Sequence, residues 1–175
     1  MIVDLASLRL GKTPLQVIRS FTGDDLGFED KTIELREPVQ VDLRITAPDE
    51  RVWVEGFLKA GLILTCSRCT CGFSWDTEKD FAVEYWPDKT GGESEIELDY
   101  DDLNVGFYWG DKFDLNEVIL EQVLIDIPMN PICKDDCKGL CEKCGADRNR
   151  GECTCGEDKV DPRFEALREI KDRIN

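Results

Sequence analysis

The number and spacing of its cysteines constrain this chain more than any other feature. Nine cysteines occur in 175 residues, and there is no histidine. Six of the nine fall within residues 131–156, a segment with too little apolar material to make a hydrophobic core of its own. In a reducing compartment such a segment is stabilised by a bound metal ion in preference to a disulfide framework. Because histidine is absent, every soft metal ligand must be sulfur.

The most regular cysteine pattern lies near the C-terminal end of the sequence. Cys141-x2-Cys144 followed by Cys153-x-Cys155 has the spacing of a zinc knuckle, and Gly145 lets the backbone turn tightly around an ion. The flanking residues are charged or polar, so a group of buried thiols without metal is the weaker interpretation. The pattern predicts a tetrahedral Zn²⁺ site with four thiolates.

A second set of four is less regular. Cys66-x2-Cys69 and Cys133-x3-Cys137 together supply four sulfurs and would join two distant parts of the chain. A rival grouping pairs Cys137 with Cys141 and leaves Cys133 outside the site. The sequence therefore predicts one or two zinc ions.

Two further cysteine chemistries stay open. A [4Fe–4S] cluster also takes four thiolates. A thioredoxin-like role for a Cys-x-x-Cys pair is less favoured, because no βαβ unit surrounds either pair. Cys71 is left over and is interpreted as a buried or bystander thiol.

Charge is unevenly distributed along the chain. The formal net charge is −16, and residues 74–126, with 3 basic and 16 acidic side chains, account for −13 of it. Such a chain is a poor non-specific binder of polyanions. The two ends are nearly balanced, so basic surface could still occur there.

Enzymatic activity is not expected. Without histidine there is no Ser-His-Asp or Cys-His machinery and no histidine general base. Asp99, Asp101 and Asp102 could hold Mg²⁺ in a nuclease, but they lie in a Gly-containing acidic stretch that is not preorganised for catalysis. No small-molecule substrate is indicated. The N-terminal residues do not resemble a signal peptide, and no apolar run is long enough for a membrane span, so we expect a cytoplasmic protein without membrane contact.

Alternating apolar residues predict three antiparallel strands. Residues 39–45 and 52–64 each place apolar side chains on one face, and a third alternating segment covers residues 73–85. The segment from Cys66 to Gly72 is therefore expected at the tip of a β-hairpin. Residues 15–21 fit a strand or a helix equally well.

The second half of the chain contains two helical patterns. Asp114 is the predicted N-cap of a helix that Pro128 ends, after a possible strand over residues 107–113. Residues 88–104 read as an acidic loop with a short strand near residues 96–98. Asp161 and Pro162 begin a last amphipathic helix.

These elements define an α+β fold class. We predict an antiparallel β-sheet with one packed helix, a cysteine-rich zinc-binding lobe and a C-terminal helix. Residues 1–130 would form the β-rich domain, and residues 131–175 would form the cysteine-rich lobe packed on it.

Several short motifs together resemble one known family. They are the hairpin tip Cys66-Ser67-Arg68-Cys69, the Asp114-Leu115 helix start, the passage from Pro128 to Cys133, the sequence CKGLCEKCG from Cys137 to Gly145, and the Asp161-Pro162-Arg163 step. The opening VDLASL is also similar. On these motifs the chain resembles the YceD-like large ribosomal RNA subunit accumulation proteins.

The resemblance implies a role in the synthesis, processing or accumulation of large-subunit ribosomal RNA. It implies no catalytic chemistry. Family genes commonly neighbour that of a small basic large-subunit ribosomal protein, and some members keep only the hairpin cysteines and their partner region. The implied partners are large-subunit rRNA or a pre-ribosomal particle, and a basic ribosomal protein as the alternative.

Two binding hypotheses follow, each with its own residues. Direct RNA binding would use basic side chains around the cysteines, although these cations could simply balance thiolate charge. The RNA-binding candidates are Arg68, Lys134, Lys138, Lys143, Arg148 and Arg150. The alternative, an acidic chaperone that holds a basic ribosomal protein, would use the acidic run, although such a run is more often a solvated loop. The protein-binding candidates are Glu93, Glu95, Glu97, Asp99, Asp101 and Asp102.

Overall fold

The computed structural model describes residues 1–11, 13–28, 33–88 and 105–151, together with residues 153 and 155. The chain divides into two units. The first consists of Met1–Ser67 and Cys71–Cys133, and the second of Arg68–Thr70 and Lys134–Asn175. Residues 89–104 of the predicted acidic loop, with its short strand, and the predicted C-terminal helix lie outside the described residues. The domain boundary predicted at residue 130 stays a prediction.

The described part of the first unit is a mixed α+β structure with antiparallel-rich sheets and few helices, which confirms the predicted fold class at that level. Its elements, in chain order, are β1 (Ile2–Asp4), α1 (Leu5–Gly11), β2 (Leu15–Phe21), α2 (Gly23–Leu26), β3 (Ile33–Leu35), β4 (Val39–Thr46), β5 (Val52–Thr65), β6 (Gly72–Pro87), β7 (Val105–Tyr108), β8 (Lys112–Asp114) and α3 (Leu115–Ile125).

Strands β4, β5 and β6 are the centre of a six-stranded sheet. The sheet runs β2-β4-β5-β6-β7, and β3 also pairs with β5. The predicted alternation is confirmed in β4, where every second residue from Val39 to Ile45 is buried. β5 and β6 pair without interruption from Val52 opposite Tyr85 to Thr65 opposite Gly72. This long hairpin places the cysteine turn at its tip, as the sequence predicted.

One glycine allows the central strands to approach each other. Gly56 in β5 lies opposite Leu43 of β4, and a Cβ atom at Gly56 would stand 2.1 Å from the carbonyl oxygen of Asp42. No real side chain tolerates that distance to a backbone atom, so a glycine is required here by close approach.

Helix α3 packs on the sheet through one face. The Asp114 side chain accepts a hydrogen bond from the backbone N–H of Asn116 at 3.0 Å, so the predicted N-cap is confirmed. The helix ends at Ile125, a few residues before Pro128. Its buried residues are Leu115, Val118, Ile119, Gln122 and Val123.

The region before α3 differs from the prediction. Residues 107–113 do not form one strand, because Gly110 turns the chain at a φ of +67°. β7 precedes the turn and pairs in parallel with β6, whereas β8 follows it and pairs with β1 in a separate two-stranded sheet. Gly110 therefore divides the predicted strand between two sheets.

Candidate metal centre

The turn between β5 and β6 carries the first cysteine pair. The backbone N–H of Cys66 donates to the carbonyl oxygen of Cys71 at 2.9 Å and closes the turn. Cys66 and Cys69 are both buried, although neighbouring residues of the turn are exposed. Buried sulfurs in an exposed turn are what a structural metal site requires, because the ligands must face inward while the loop faces water.

Within the first unit, the chain after α3 returns to this turn. Ser67 donates to the carbonyl oxygen of Pro131 through its backbone N–H at 2.8 Å and through its hydroxyl at 3.0 Å. The backbone N–H of Cys133 then donates to the sulfur of Cys66 at 3.4 Å. A hydrogen bond donated to sulfur favours the thiolate, which is the form that binds metal.

Within the second unit, Arg68 and Cys137 belong to one hydrogen-bonded arrangement. The Arg68 guanidinium donates to the carbonyl oxygen of Cys137 at 3.2 Å. The backbone N–H of Leu140 donates to the carbonyl oxygen of Arg68 at 3.0 Å. Gly139 has a φ of +69°, and a Cβ there would lie 3.1 Å from the Arg68 carbonyl oxygen. The Arg68 side chain, which the sequence predicts to bind RNA, therefore already makes a hydrogen bond within the second unit.

Asn149 supports Cys137 from the other side of the same turn. Its side-chain nitrogen lies 3.5 Å from the Cys137 sulfur, and its side-chain oxygen accepts from the backbone N–H of Lys138 at 2.9 Å. Sequence reasoning missed this role. The signal that could have found it is a carboxamide twelve residues after a ligand cysteine, between residues that favour turns.

Asp147 holds Asn149 in place. Its carboxylate accepts from the backbone N–H of Asn149 at 2.9 Å and from the Asn149 side chain at 2.7 Å. These hydrogen bonds lower the pKa of Asp147, with a smaller contribution from nearby Arg150 and Lys134. The backbone N–H of Arg148 also donates to the carbonyl of Gly139 at 3.0 Å, which ties the two sides of the turn together.

Eight of the nine cysteines fall into two groups that could hold metal ions. They are Cys66, Cys69, Cys133 and Cys137 in one group, and Cys141, Cys144, Cys153 and Cys155 in the other. The first group is divided between the units, with Cys66 and Cys133 in the first unit and the other two in the second. Its joint coordination of one ion stays a prediction.

The second group lies wholly within the second unit, and its geometry fits one ion. Its four sulfur atoms lie within 4.8 Å of one another. Four thiolates around a tetrahedral zinc, each at about 2.3 Å from the ion, stand roughly 3.8 Å apart. The sulfur atoms of this group would therefore need to move only slightly to bind one zinc ion. Gly145 has a φ of +70°, and its N–H donates to the carbonyl of Cys141 at 2.8 Å, which forms the tight turn between the paired ligands.

The pKa values of two thiols in this group are shifted in opposite directions. Hydrogen bonds from the backbone of Cys144 and Lys143, and then from the Cys153 thiol, lower the pKa of Cys141 to about 6. The hydrogen bond with Cys144, burial and the neighbouring sulfurs raise the pKa of Cys155 to about 11. Neighbouring thiolates repel one another because they carry like charges. A divalent cation removes this conflict.

The remaining RNA-binding candidates are exposed side chains of the second unit. Lys134 lies 3.5 Å from Asp136, and Arg150 lies 3.5 Å from Asp147. Lys138 and Arg148 donate hydrogen bonds within the turn through their backbone N–H groups, and both residues are exposed. Lys143 is exposed as well. The six acidic protein-binding candidates, residues 93–102, lie outside the described residues.

Fold and site together define an α+β protein whose antiparallel-rich sheet carries a cysteine turn at the tip of its longest hairpin. No helix of the described part is both long and apolar enough to span a membrane. Residues 54–171 match the model of the family described as large ribosomal RNA subunit accumulation protein YceD. This match covers more than half of the chain, so the chain belongs to the YceD family.

Individual relatives are distant. An uncharacterized protein of Mycobacterium leprae is 31% identical over 124 residues, which are 69% of this chain and 54% of that protein. An uncharacterized protein of Mycobacterium tuberculosis is 27% identical over 175 residues, 97% of this chain and 81% of that protein.

A plant relative carries the family description in its name. The large ribosomal RNA subunit accumulation protein YCED homolog 1, chloroplastic, of Arabidopsis thaliana is 27% identical over 159 residues, 78% of this chain and 50% of that protein. The chain thus spans about half the length of the Mycobacterium leprae and Arabidopsis relatives. No solved structure matches it.

Proposed function

We propose that this protein is a non-enzymatic factor that supports large-subunit ribosomal RNA synthesis, processing or accumulation by binding rRNA or an assembly intermediate. The observation that carries the proposal is a second unit with four clustered sulfurs and exposed basic side chains. A metal-held turn presents cations on a rigid frame, which suits recognition of an RNA backbone. Membership of the YceD family supports the process.

The metal in this proposal is zinc, with one or two ions per chain. An iron–sulfur cube binds each cysteine through a different iron, so it keeps the cysteine sulfurs farther apart than one shared ion does. Sulfurs within 4.8 Å of one another favour a single ion in the second group. Native and denaturing mass spectrometry of the full chain measures this directly. One or two zinc ions lost on denaturation are expected, and a zinc count of zero would overturn the metal proposal.

The RNA contacts are best tested at Lys138 and Arg148. Both side chains are exposed, and both residues enter the turn only through backbone N–H groups, so a side-chain change leaves the turn intact. Arg68 and Arg150 are less suitable, because their side chains contact Cys137 and Asp147. Loss of RNA binding at those positions would not separate RNA contact from structural damage.

The experiment is a salt titration of RNA affinity for the Lys138→Glu/Arg148→Glu variant. Each phosphate contact contributes roughly 0.7 to the slope of log affinity against log salt for single-stranded RNA, so losing two contacts should reduce that slope by about 1.4. The control is Arg44→Glu/Lys59→Glu, the same charge change at exposed side chains of the first unit. Equal affinities and slopes for wild type and the Lys138/Arg148 variant would overturn direct RNA binding by this surface.

Other parts of the proposal follow from the same residues. Without histidine, the chain is proposed to have no catalytic activity and no small-molecule substrate. It is proposed to act in the cytoplasm, because thiolates bind zinc where the compartment is reducing. Its partners would be large-subunit rRNA or a pre-ribosomal particle, without membrane contact.

A second candidate function rests on charge. Residues 74–126 carry a formal net charge of −13, which repels phosphate and attracts basic protein. In this alternative, the protein is an acidic, zinc-containing chaperone for a basic large-subunit ribosomal protein. Neutralising the acidic candidates within residues 93–102 to Gln and Asn would then abolish capture of that protein, whereas RNA affinity would be unchanged or higher. Unchanged capture would contradict the alternative.

A further inference from the structure

A small cavity in the first unit lies where β7, β8 and α3 meet β6. Its volume is about 220 Å³. Pockets for drug-sized ligands are larger, roughly 300–1,000 Å³, so this cavity fits a single amino-acid side chain better than a substrate or cofactor.

The inner wall of the cavity is aromatic and closely packed. Tyr85 and Phe113 are both buried and meet edge to face at 5.0 Å between ring centroids. Gly106 makes room for them, because a Cβ there would lie 2.3 Å from the Tyr85 ring. The Tyr85 hydroxyl donates to Glu121 at 3.1 Å, which fixes one carboxylate of the wall.

The rim combines two exposed aromatic rings with two exposed carboxylates. Trp109 and Phe107 are 55% and 39% exposed. Glu117 and Glu121 stand one helical turn apart on α3 and also line the cavity. Among the described residues, no basic group lies within 4.0 Å of either carboxylate. Lys112 also lines the cavity, and its single charge does not balance the acidic side chains there.

Asp114 also lines the cavity but is already engaged. Its carboxylate lies 3.3 Å from the N-terminal amino group of Met1 and accepts from Asn116 as the helix N-cap. The carboxylates of the cavity without a cationic partner among the described residues are therefore those of Glu117 and Glu121, and the hydrogen bond that Glu121 accepts from Tyr85 leaves its charge unpaired.

From this arrangement we propose that the cavity is a binding site for an arginine side chain of a basic partner protein. A guanidinium is planar, stacks on an indole face and pairs with carboxylates through two parallel hydrogen bonds. An exposed tryptophan beside two exposed carboxylates presents both partners at once. The site is independent of the proposed RNA surface, because its residues all belong to the first unit, and it gives the basic partner a specific anchor point beyond the acidic run.

The test measures binding of a fluorescently labelled peptide with three arginines separated by glycines, by anisotropy at near-physiological salt. At that salt, charges farther away than roughly 8 Å are largely screened. Trp109→Ala should weaken binding roughly threefold or more, because it removes the cation–π contact, and Trp109→Phe should restore part of it. Glu117→Gln/Glu121→Gln should weaken binding by a similar factor.

Matched controls separate the cavity from general acidity. Trp53→Ala removes another exposed tryptophan, on β5, and Asp135→Asn/Glu142→Gln makes the same charge change in the second unit. Both should bind the peptide as wild type does. A peptide with citrulline in place of arginine should lose binding. Equal binding of the Trp109→Ala variant and wild type, or of the citrulline and arginine peptides, would overturn the proposal.

Discussion

Replacing Asn149 with alanine should weaken zinc binding at the proposed site that includes Cys137. The Asn149 side chain donates to the Cys137 sulfur at 3.5 Å and accepts from the Lys138 backbone at 2.9 Å. Alanine removes both contacts without adding volume or charge. The sulfur then loses its side-chain hydrogen-bond donor, a contact that orients a metal ligand.

The size of the effect follows from these two contacts. A neutral hydrogen bond such as that to Lys138 contributes about 0.5–1.5 kcal/mol, and one to an ionised group contributes about 1.5–3 kcal/mol. Because Asn149 is only half-buried, we take the lower part of the sum, about 2 kcal/mol. At 1.4 kcal/mol for each factor of ten, this is about thirtyfold in zinc affinity. Residues behind a metal ligand typically contribute tenfold to a hundredfold.

The assay is zinc transfer from the loaded full chain to a chelator at fixed pH. The Asn149→Ala variant should release the zinc ion proposed to be bound by Cys137 at about thirtyfold lower chelator concentration than wild type does. Asn149→Asp should release it at least as easily, since it adds negative charge beside the sulfur. Asn116→Ala is the control, because it loses a comparable hydrogen bond to the carbonyl of Asp25 within the first unit. An unchanged midpoint for Asn149→Ala would refute this account of Cys137.

Three further predictions concern the first unit. Gly56→Ala should lower the free energy of unfolding by roughly 3 kcal/mol or more, because the added methyl group clashes with β4. Gly27→Ala, at a φ of +64° with open space around it, should lower it by only about 1 kcal/mol. Equal urea midpoints for the two variants would contradict this prediction. Leu58→Ala, at a fully buried position, should cost about 2–5 kcal/mol in the same assay, and a cost under about 1 kcal/mol would argue against its place in the core. Burial, and then Glu121, raise the pKa of Tyr85 above its usual value of 10.0, so its stabilising contribution is complete below pH 10.0 and is lost as the pH rises above it. Tyr85→Phe should therefore flatten the fall in stability above pH 10.0, and an identical alkaline decline in both proteins would disprove this.

Sequence periodicity was sufficient for the long elements. β4, β5 and β6 alternate over 8 to 16 residues, and most of their inward residues are apolar, so one burial pattern explains each of them. The cysteine turn follows from them because a hairpin of two such strands has only one tip. Helix α3 could be predicted from its N-cap Asp114 and from the helical spacing of the apolar residues on its buried face.

Short elements could not be read in this way. β1, β3 and β8 have three residues each, too few to show a period. β1 exists because it pairs with β8. This pairing places Ile2 opposite Asp114, two residues that lie far apart in the sequence. Such pairing depends on the tertiary fold and leaves no local pattern. The same reason explains β2, which the sequence left undecided and which pairing with β4 makes a strand.

The candidate site was predictable as chemistry but not as geometry. Cysteine spacing identified the second group, whose sulfurs lie together in the structure. It did not identify Asn149 or the contacts of Arg68, because hydrogen bonds between a turn and a side chain depend on backbone positions that spacing does not encode. Basic residues near cysteines are therefore of two kinds here, and the structure separates Arg68, which contacts the Cys137 backbone, from the exposed side chains of Lys138 and Arg148.

The most direct test of the central claim is a pull-down of the tagged full chain from a lysate, with and without ribonuclease, with bound RNA sequenced and bound proteins identified by mass spectrometry. The account predicts that large-subunit rRNA is recovered with wild type, that ribosomal proteins held only through rRNA disappear after nuclease treatment, and that Lys138→Glu/Arg148→Glu recovers little rRNA. Recovery of a basic ribosomal protein that survives the nuclease, with no enrichment of large-subunit rRNA, would contradict direct RNA binding and assign the rRNA effect to a protein partner.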